Sequence, residues 1–148
     1  ISNSKSIVTV ALGGSKNKIK FEVDEDVEIF SMNTKIDKSI RSKDITNYVE
    51  GQDIVSISDL VICKCGYGMI SECITNGVPF YFLASNSHLE QKAMANDLKE
   101  EGLGNKITFK KINELKLTSK FIESKVISKK KHNSNQKIIN IISKMMSK

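Results

Sequence analysis

The sequence predicts one α/β domain, an open and mostly parallel sheet with helices on both faces. Three observations predict it. Leu60 to Leu83 reads as apolar run, glycine turn, helical spacing, a Gly77-Val78-Pro79 stop and a second apolar run. Strand, turn, helix and strand in that order make a parallel crossover unit. Ser6 to Leu12 is almost wholly apolar, as a strand buried on both faces must be, and runs straight into Gly13-Gly14-Ser15. With 148 residues, the chain can build one domain with a real core but not two ordinary ones.

Taken in order, Ser6 to Leu12 is the first strand. Between Lys16 and Asp26, Ile19, Phe21 and Val23 alternate as in a strand, and Val27 to Met32 reads as another. These pieces either form a hairpin-like edge or replace a helix cut down to a turn. Asn33 to Asp44 is polar and lysine-rich and reads as a surface loop, Ile45 to Val49 as a short strand, and Gly51 to Ser58 as a short helix. Leu60 to Cys63 is a buried strand, and Lys64 to Gly68 is the turn after it. Met69, Ile70, Cys73 and Ile74 then recur at helical spacing, with Gly77 as C-terminal cap and Pro79 forbidding continuation.

Val78 to Leu83 is the next strand. Asn86 or Ser87 caps a helix from His88 to Glu101 whose apolar stripe is Leu89, Ala93, Met94 and Leu98, with Gly102 ending it. A last strand covers Lys106 to Phe109. Phe121, Ile122, Lys125 and Val126 share a helix face, Lys129 to His132 reads as a linker or exposed end, and Gln136 to Met146 as a final amphipathic helix. The domain is expected over 1–128, with 129–148 as a basic tail packed on or beside it.

Composition excludes several classes. Hydrophobic residues at 39% and charged residues at 27% fit a soluble globular chain. No apolar run approaches the ~20 residues a membrane helix needs. The formal charge of +6 invites nucleic acid as a partner. Arg41 is the single arginine and there is no Trp, which speaks against it, because arginine does most bidentate reading of bases and phosphates. Cys63, Cys65 and Cys73 have too few companions for a metal site and read as buried small hydrophobes in a reducing, cytoplasmic setting. His88 and His132 are isolated and receive no role. The first residues lack an initiator Met and a signal pattern, so the chain is expected to be an excised or processed segment.

The chemistry of the crossover unit belongs to its helix N-terminus. Backbone N–H groups around Gly66, Gly68 and Met69 are expected to face the crevice beyond the strand ends, where the helix dipole favours an anion. Glu72 is expected in the first helical turn, close enough to accept from two neighbouring hydroxyls. Phosphate donors beside a carboxylate acceptor suit a ribose carrying a diphosphate. Ser71 and Glu72 are equally what a helix start uses for capping. Gly13-Gly14-Ser15 lies at a strand's carboxyl end, where open α/β sheets bind ligands, though a plain turn would look the same.

Cys-Gly-Tyr-Gly-Met-Ile-Ser-Glu, followed by Asn-Gly-Val-Pro and by Glu-Gln at 90–91, resembles the nucleotide-sugar-binding C-terminal half of GT-B glycosyltransferases. The nearest likeness is to glycosyltransferase family 28. Its N-acetylglucosaminyl transferase members add that sugar to the lipid-linked peptidoglycan precursor. The same wording is similar to the N-terminal region of plant arabinokinases. Val8 to Ser15 resembles the strand and Gly-Gly-Ser loop opening that half-molecule, so the resemblance covers about residues 6–105.

The resemblance implies a Rossmann-like domain, one half of a GT-B fold, that takes a UDP-sugar-like donor. Gly13, Gly14, Ser15 and the Gly66, Tyr67, Gly68 and Met69 amides would hold the diphosphate, with Lys64 beside them. Val49 would read the nucleobase edge through its backbone, Glu72 the ribose, and Gln91 the donor sugar. It implies no metal and no cofactor, and it places the catalytic base and acceptor site on an N-terminal domain outside these residues. Alone, the chain is expected to bind nucleotide and transfer nothing.

Two departures stand out: the full helix expected after Gly-Gly-Ser is missing, and Met94 stands where the family usually has Asn. They keep open a non-catalytic nucleotide-binding or regulatory module. The lysine-rich C-terminal region reads as a solvated face, or as a peripheral contact with anionic lipid. A dinucleotide oxidoreductase is excluded, because Gly66-x-Gly68-x-x-Ser71 would need an acid about 20 residues on, where Ala84-Ser-Asn-Ser stands instead.

Overall fold

The computed structural model describes residues 5–13, 18–47, 51–85 and 88–132. Its centre is a six-stranded sheet in the order β4-β3-β1-β5-β6-β7. The strands are β1 (Ser6–Ala11), β3 (Val27–Ser31), β4 (Ser42–Asp44), β5 (Leu60–Lys64), β6 (Phe80–Leu83) and β7 (Asn105–Lys106). Every neighbouring pair is parallel. A second, two-stranded sheet pairs β2 (Glu22–Val23) with β8 (Lys116–Leu117), also in parallel.

β5 shows why this is a central strand. Leu60, Val61, Ile62 and Cys63 are all buried, and alternate residues feed two separate cores. Val61 and Cys63 meet α1 (Gly51–Ile57), α2 (Tyr67–Asn76) and α3 (Leu89–Glu101) through Val55, Ile70, Cys73, Ile74, Met94 and Leu98. Leu60 and Ile62 pack with the other core. That core reaches α4 (Phe109–Asn113) through Ile112, β8 through Leu117 and α5 (Ser119–His132) through Ile122. Helices therefore cover both faces. Inside, Thr9 Oγ1 and Ser58 Oγ share a hydrogen bond of 2.7 Å, and Ser58 also donates to the Ile54 carbonyl.

The stop at Gly77 is as the sequence predicts. Gly77 takes φ 65°, and its turn closes with Val78 N–H bonded to the Cys73 carbonyl. Gly102 ends α3 in the same way, with Leu103 N–H on the Leu98 carbonyl.

Several expectations are corrected. β2 forms no hairpin with β3: Ile19 bridges to Ile36, and Glu22–Val23 pairs with β8. No helix lies between β1 and β3 among the described residues. The alternation of Ile19 and Phe21 is real, and both side chains are buried in the place a helix would otherwise cover.

The strand expected at Ile45 to Val49 lies earlier, at Ser42–Asp44, inside the segment read as loop. The Asp44 carboxylate accepts from Thr46 N–H and Oγ1 and turns the chain out of the sheet. All three β4 residues are exposed, which suits a charged edge strand. The α3 stripe is Met94, Ala95 and Leu98, whereas Leu89 is 82% exposed.

His88 precedes α3 without a side-chain cap, and Asn86 and Ser87 lie outside the described residues. β7 stops at Lys106, because Thr108 caps α4 by accepting from Lys111 N–H. Lys129 to His132 continue α5, so the boundary expected after residue 128 falls inside a helix. The helix expected over Gln136 to Met146 lies outside the described residues.

Candidate functional site

The carboxyl ends of β1 and β5 and the start of α2 meet at one rim of the sheet. Gly66 precedes α2 in extended conformation, φ −130° and ψ 151°, and its carbonyl accepts the first helical bond, from Ile70 N–H at 3.2 Å. Helix geometry leaves the amides of Tyr67, Gly68 and Met69 without an intrahelical acceptor. The Gly66 N–H, expected to face a ligand, is bonded instead to the Lys64 carbonyl at 2.9 Å. The amides left without an intrahelical acceptor therefore begin with Tyr67. A β-carbon placed on Gly66 or Gly68 meets nothing within 4 Å, so the space ahead of the turn is open.

Neither Ser71 nor Glu72 caps the helix. Ser71 Oγ donates back to the Gly68 carbonyl at 3.1 Å, and no side chain caps Gly66. Because α2 begins at Tyr67, Glu72 is its sixth residue, in the second turn rather than the first. Its carboxylate stays out of the core, half-buried, with Oε2 3.4 Å from Asn76 Nδ2.

Lys64 is the one exposed residue of β5, and it reaches across to β1. Its Cδ, Cε and Nζ lie 3.7–3.8 Å from where a β-carbon on Gly13 would stand. Gly13 itself takes φ 50°. Among the described residues Lys64 has no ion-pair partner. Gly14, Ser15 and Val49 lie outside the described residues.

Gln91 sits in the first turn of α3, where its Oε1 accepts the Ser85 N–H at 2.8 Å and its carbonyl accepts from Cys65 Sγ at 3.6 Å. It thus fastens the loop after β6 to the turn after β5. Met94, which stands where the resemblance implies Asn, is buried in the core.

Burial pushes the Cys65 thiol up to about 11 and the Cys73 thiol up to about 12, the latter raised further by the charge of Glu72. Cys63 is raised by burial as well. All three are free, and the described residues hold no cluster of His, Cys, Asp and Glu able to bind a metal.

Sequence reasoning missed how the β1 and β3 ends are tied. Thr34 Oγ1 accepts the Leu12 N–H at 2.7 Å and donates to the Met32 carbonyl, while Asn33 takes φ 48°. Asparagine's tolerance of that conformation was the only available signal. A groove of about 990 Å³ also exists, lined by Phe21, Glu22, Arg41 and Lys116 among others. It opens at the amino ends of β1, β3 and β4, opposite the rim where open α/β sheets bind ligands, so the rim is the better candidate.

The model of the glycosyltransferase family 28 C-terminal domain matches residues 7–147. The chain belongs to that family. Its fold is that of the C-terminal half of a GT-B glycosyltransferase. The crystal structure of the glycosyltransferase SnogD from Streptomyces nogalater is similar at TM-score 0.61 and 14% identity, covering 96% of this chain and 39% of that one. The glycotransferase of kitacinnamycin is similar at TM-score 0.57 and 12% identity, covering 99% of this chain and 40% of that one. At such identities the likeness concerns the fold, and the chain spans about two-fifths of the length of these proteins. No curated protein matches it. No helix among the described residues is long and apolar enough to cross a membrane.

Proposed function

We propose that this domain is the donor-binding half of a glycosyltransferase that uses a UDP-sugar-like donor. One observation carries the reading: the open N-terminus of α2 and Lys64, which lies across Gly13, share the rim at the carboxyl ends of β1 and β5. Three amides without an intrahelical acceptor stand at that rim, an ammonium sits on the adjoining strand, and a carboxylate stands one helical turn further along α2. During transfer the anomeric carbon–oxygen bond to the diphosphate breaks and a bond to the acceptor oxygen forms. Negative charge builds on the leaving diphosphate. The Tyr67, Gly68 and Met69 amides, with Lys64 on the same rim, stabilise that charge from positions fixed by the fold.

Glu72 accepts from the ribose hydroxyls, and the Gln91 amide nitrogen, which has no partner among the described residues, donates to the sugar. The acceptor's proton leaves to a base on a partner N-terminal domain, so this chain binds donor and does not turn over alone. The test is calorimetric titration with UDP. Saturable binding weakened about tenfold or more by Glu72→Ala supports the reading, and an affinity unchanged by that substitution contradicts it. Absence of binding would favour the second reading, a non-catalytic module, which the absence of a helix between β1 and β3 among the described residues supports.

A further inference from the structure

Cys65 is joined to the segment after β6 at two points. Its backbone N–H donates to the Leu83 carbonyl at 2.8 Å, and its thiol donates to the Gln91 carbonyl at 3.6 Å. Gln91 Oε1 in turn accepts the Ser85 N–H. Cys65 is 2% exposed and belongs to the core under α2 and α3. The other two thiols, Cys63 and Cys73, lie in the same core without such a bond among the described residues.

The two bonds do different things. The main-chain bond fixes where the turn after β5 leaves the sheet, and with it where α2 presents its amides. The thiol bond reaches past the loop to the first turn of α3. Among the described residues no main-chain bond joins that turn to α3, so the thiol is the polar link between them. A hydrogen bond from the Gln91 amide to a hydroxyl tolerates about 0.5 Å of displacement, so the seat of α3 decides whether it forms.

We infer that Cys65 is a positioning residue: it holds the first turn of α3, and with it Gln91, in place relative to the α2 amides, so that the sugar end of a donor is read in register with its diphosphate. Cys65 acts through Gln91 and touches no ligand itself. The inference rests on the donor-site reading above and adds the residue that couples its two ends.

The test is titration of the whole chain with UDP and with UDP-N-acetylglucosamine, repeated on Cys65→Ala, Cys65→Ser, Gln91→Ala and the double variant Cys65→Ala/Gln91→Ala. The quantity read is the ratio of the two affinities. Cys65→Ala should shift that ratio against the sugar nucleotide by roughly two- to fivefold, as befits a weak donor. UDP alone should bind as before, because the bond to Leu83 is main-chain and survives the substitution. Cys65→Ser keeps a donor and should recover part of the loss. The double variant should lose no more than Gln91→Ala does alone. Without ligand, the Ser85 amide should exchange with solvent faster in Cys65→Ala than in the unaltered chain. An unchanged ratio in Cys65→Ala, or an equal loss for both nucleotides, would overturn the inference and leave the donor site standing, with Cys65 a packing residue only. Failure of UDP itself to bind would overturn both.

Discussion

Lys64 lies across Gly13, its Nζ 3.8 Å from the point a β-carbon there would occupy. The two residues are 51 positions apart in sequence and adjacent in space because β1 and β5 pair in parallel. That contact puts a cation at the carboxyl end of β1. Lys64→Met should weaken UDP binding about tenfold and flatten its salt dependence, with the folding midpoint unchanged. Titration at two salt concentrations checks it.

Gly13→Ala separates backbone from contact. The added methyl would meet Lys64 at ordinary van der Waals distance, so the cost comes from φ 50° alone, about 1–2 kcal/mol. Urea denaturation should show that loss with an unchanged m-value.

Gly104 is the tightest position. It takes φ 67°, and a β-carbon there would stand 2.4 Å from Cε2 of the buried Phe80 ring. Gly104→Ala should cost about 2–4 kcal/mol, more than Gly13→Ala, because strain and overpacking add. Combining it with Phe80→Leu should return part of the loss, a non-additivity readable in a double-mutant cycle.

The thiols give a pH prediction. The ordinary thiol value is 9.0, and folding raises Cys65 to about 11 and Cys73 to about 12, chiefly through burial. Raised values keep the protonated form, so this stabilisation is complete below pH 9 and is lost as pH climbs toward 11–12. Native protein should resist disulfide reagents at pH 8 and label all three cysteines once unfolded. Fast labelling of the native chain at pH 8 would contradict the packing.

The fold was legible where period and punctuation agreed. Leu60 to Leu83 specified strand, turn, helix stop and strand, because each local signal served the same tertiary arrangement. The alternation of Ile19, Phe21 and Val23 was legible as extended chain, but Ile19 bridges to Ile36 while Glu22–Val23 pairs with β8, more than 90 residues away, and nothing local names either partner. Leu89 misled, since a helix's first residue can hold the apolar register and still overhang the sheet.

At the site, Lys64, Gly66 and Gln91 were found as residue types. The bond that withdraws the Gly66 amide, the position of Glu72 in the second turn and the hold of Gln91 on Ser85 depend on where the helices begin. Sequence fixes such boundaries least well.

The central claim is that a diphosphate sits on the free amides at the start of α2. Backbone amide NMR of the chain titrated with UDP reads this directly. The largest shifts should fall on Tyr67, Gly68 and Met69 and extend to Gly13 and Lys64. Shifts gathered instead around Phe21, Glu22, Arg41 and Lys116, in the groove at the opposite end of the sheet, would contradict it.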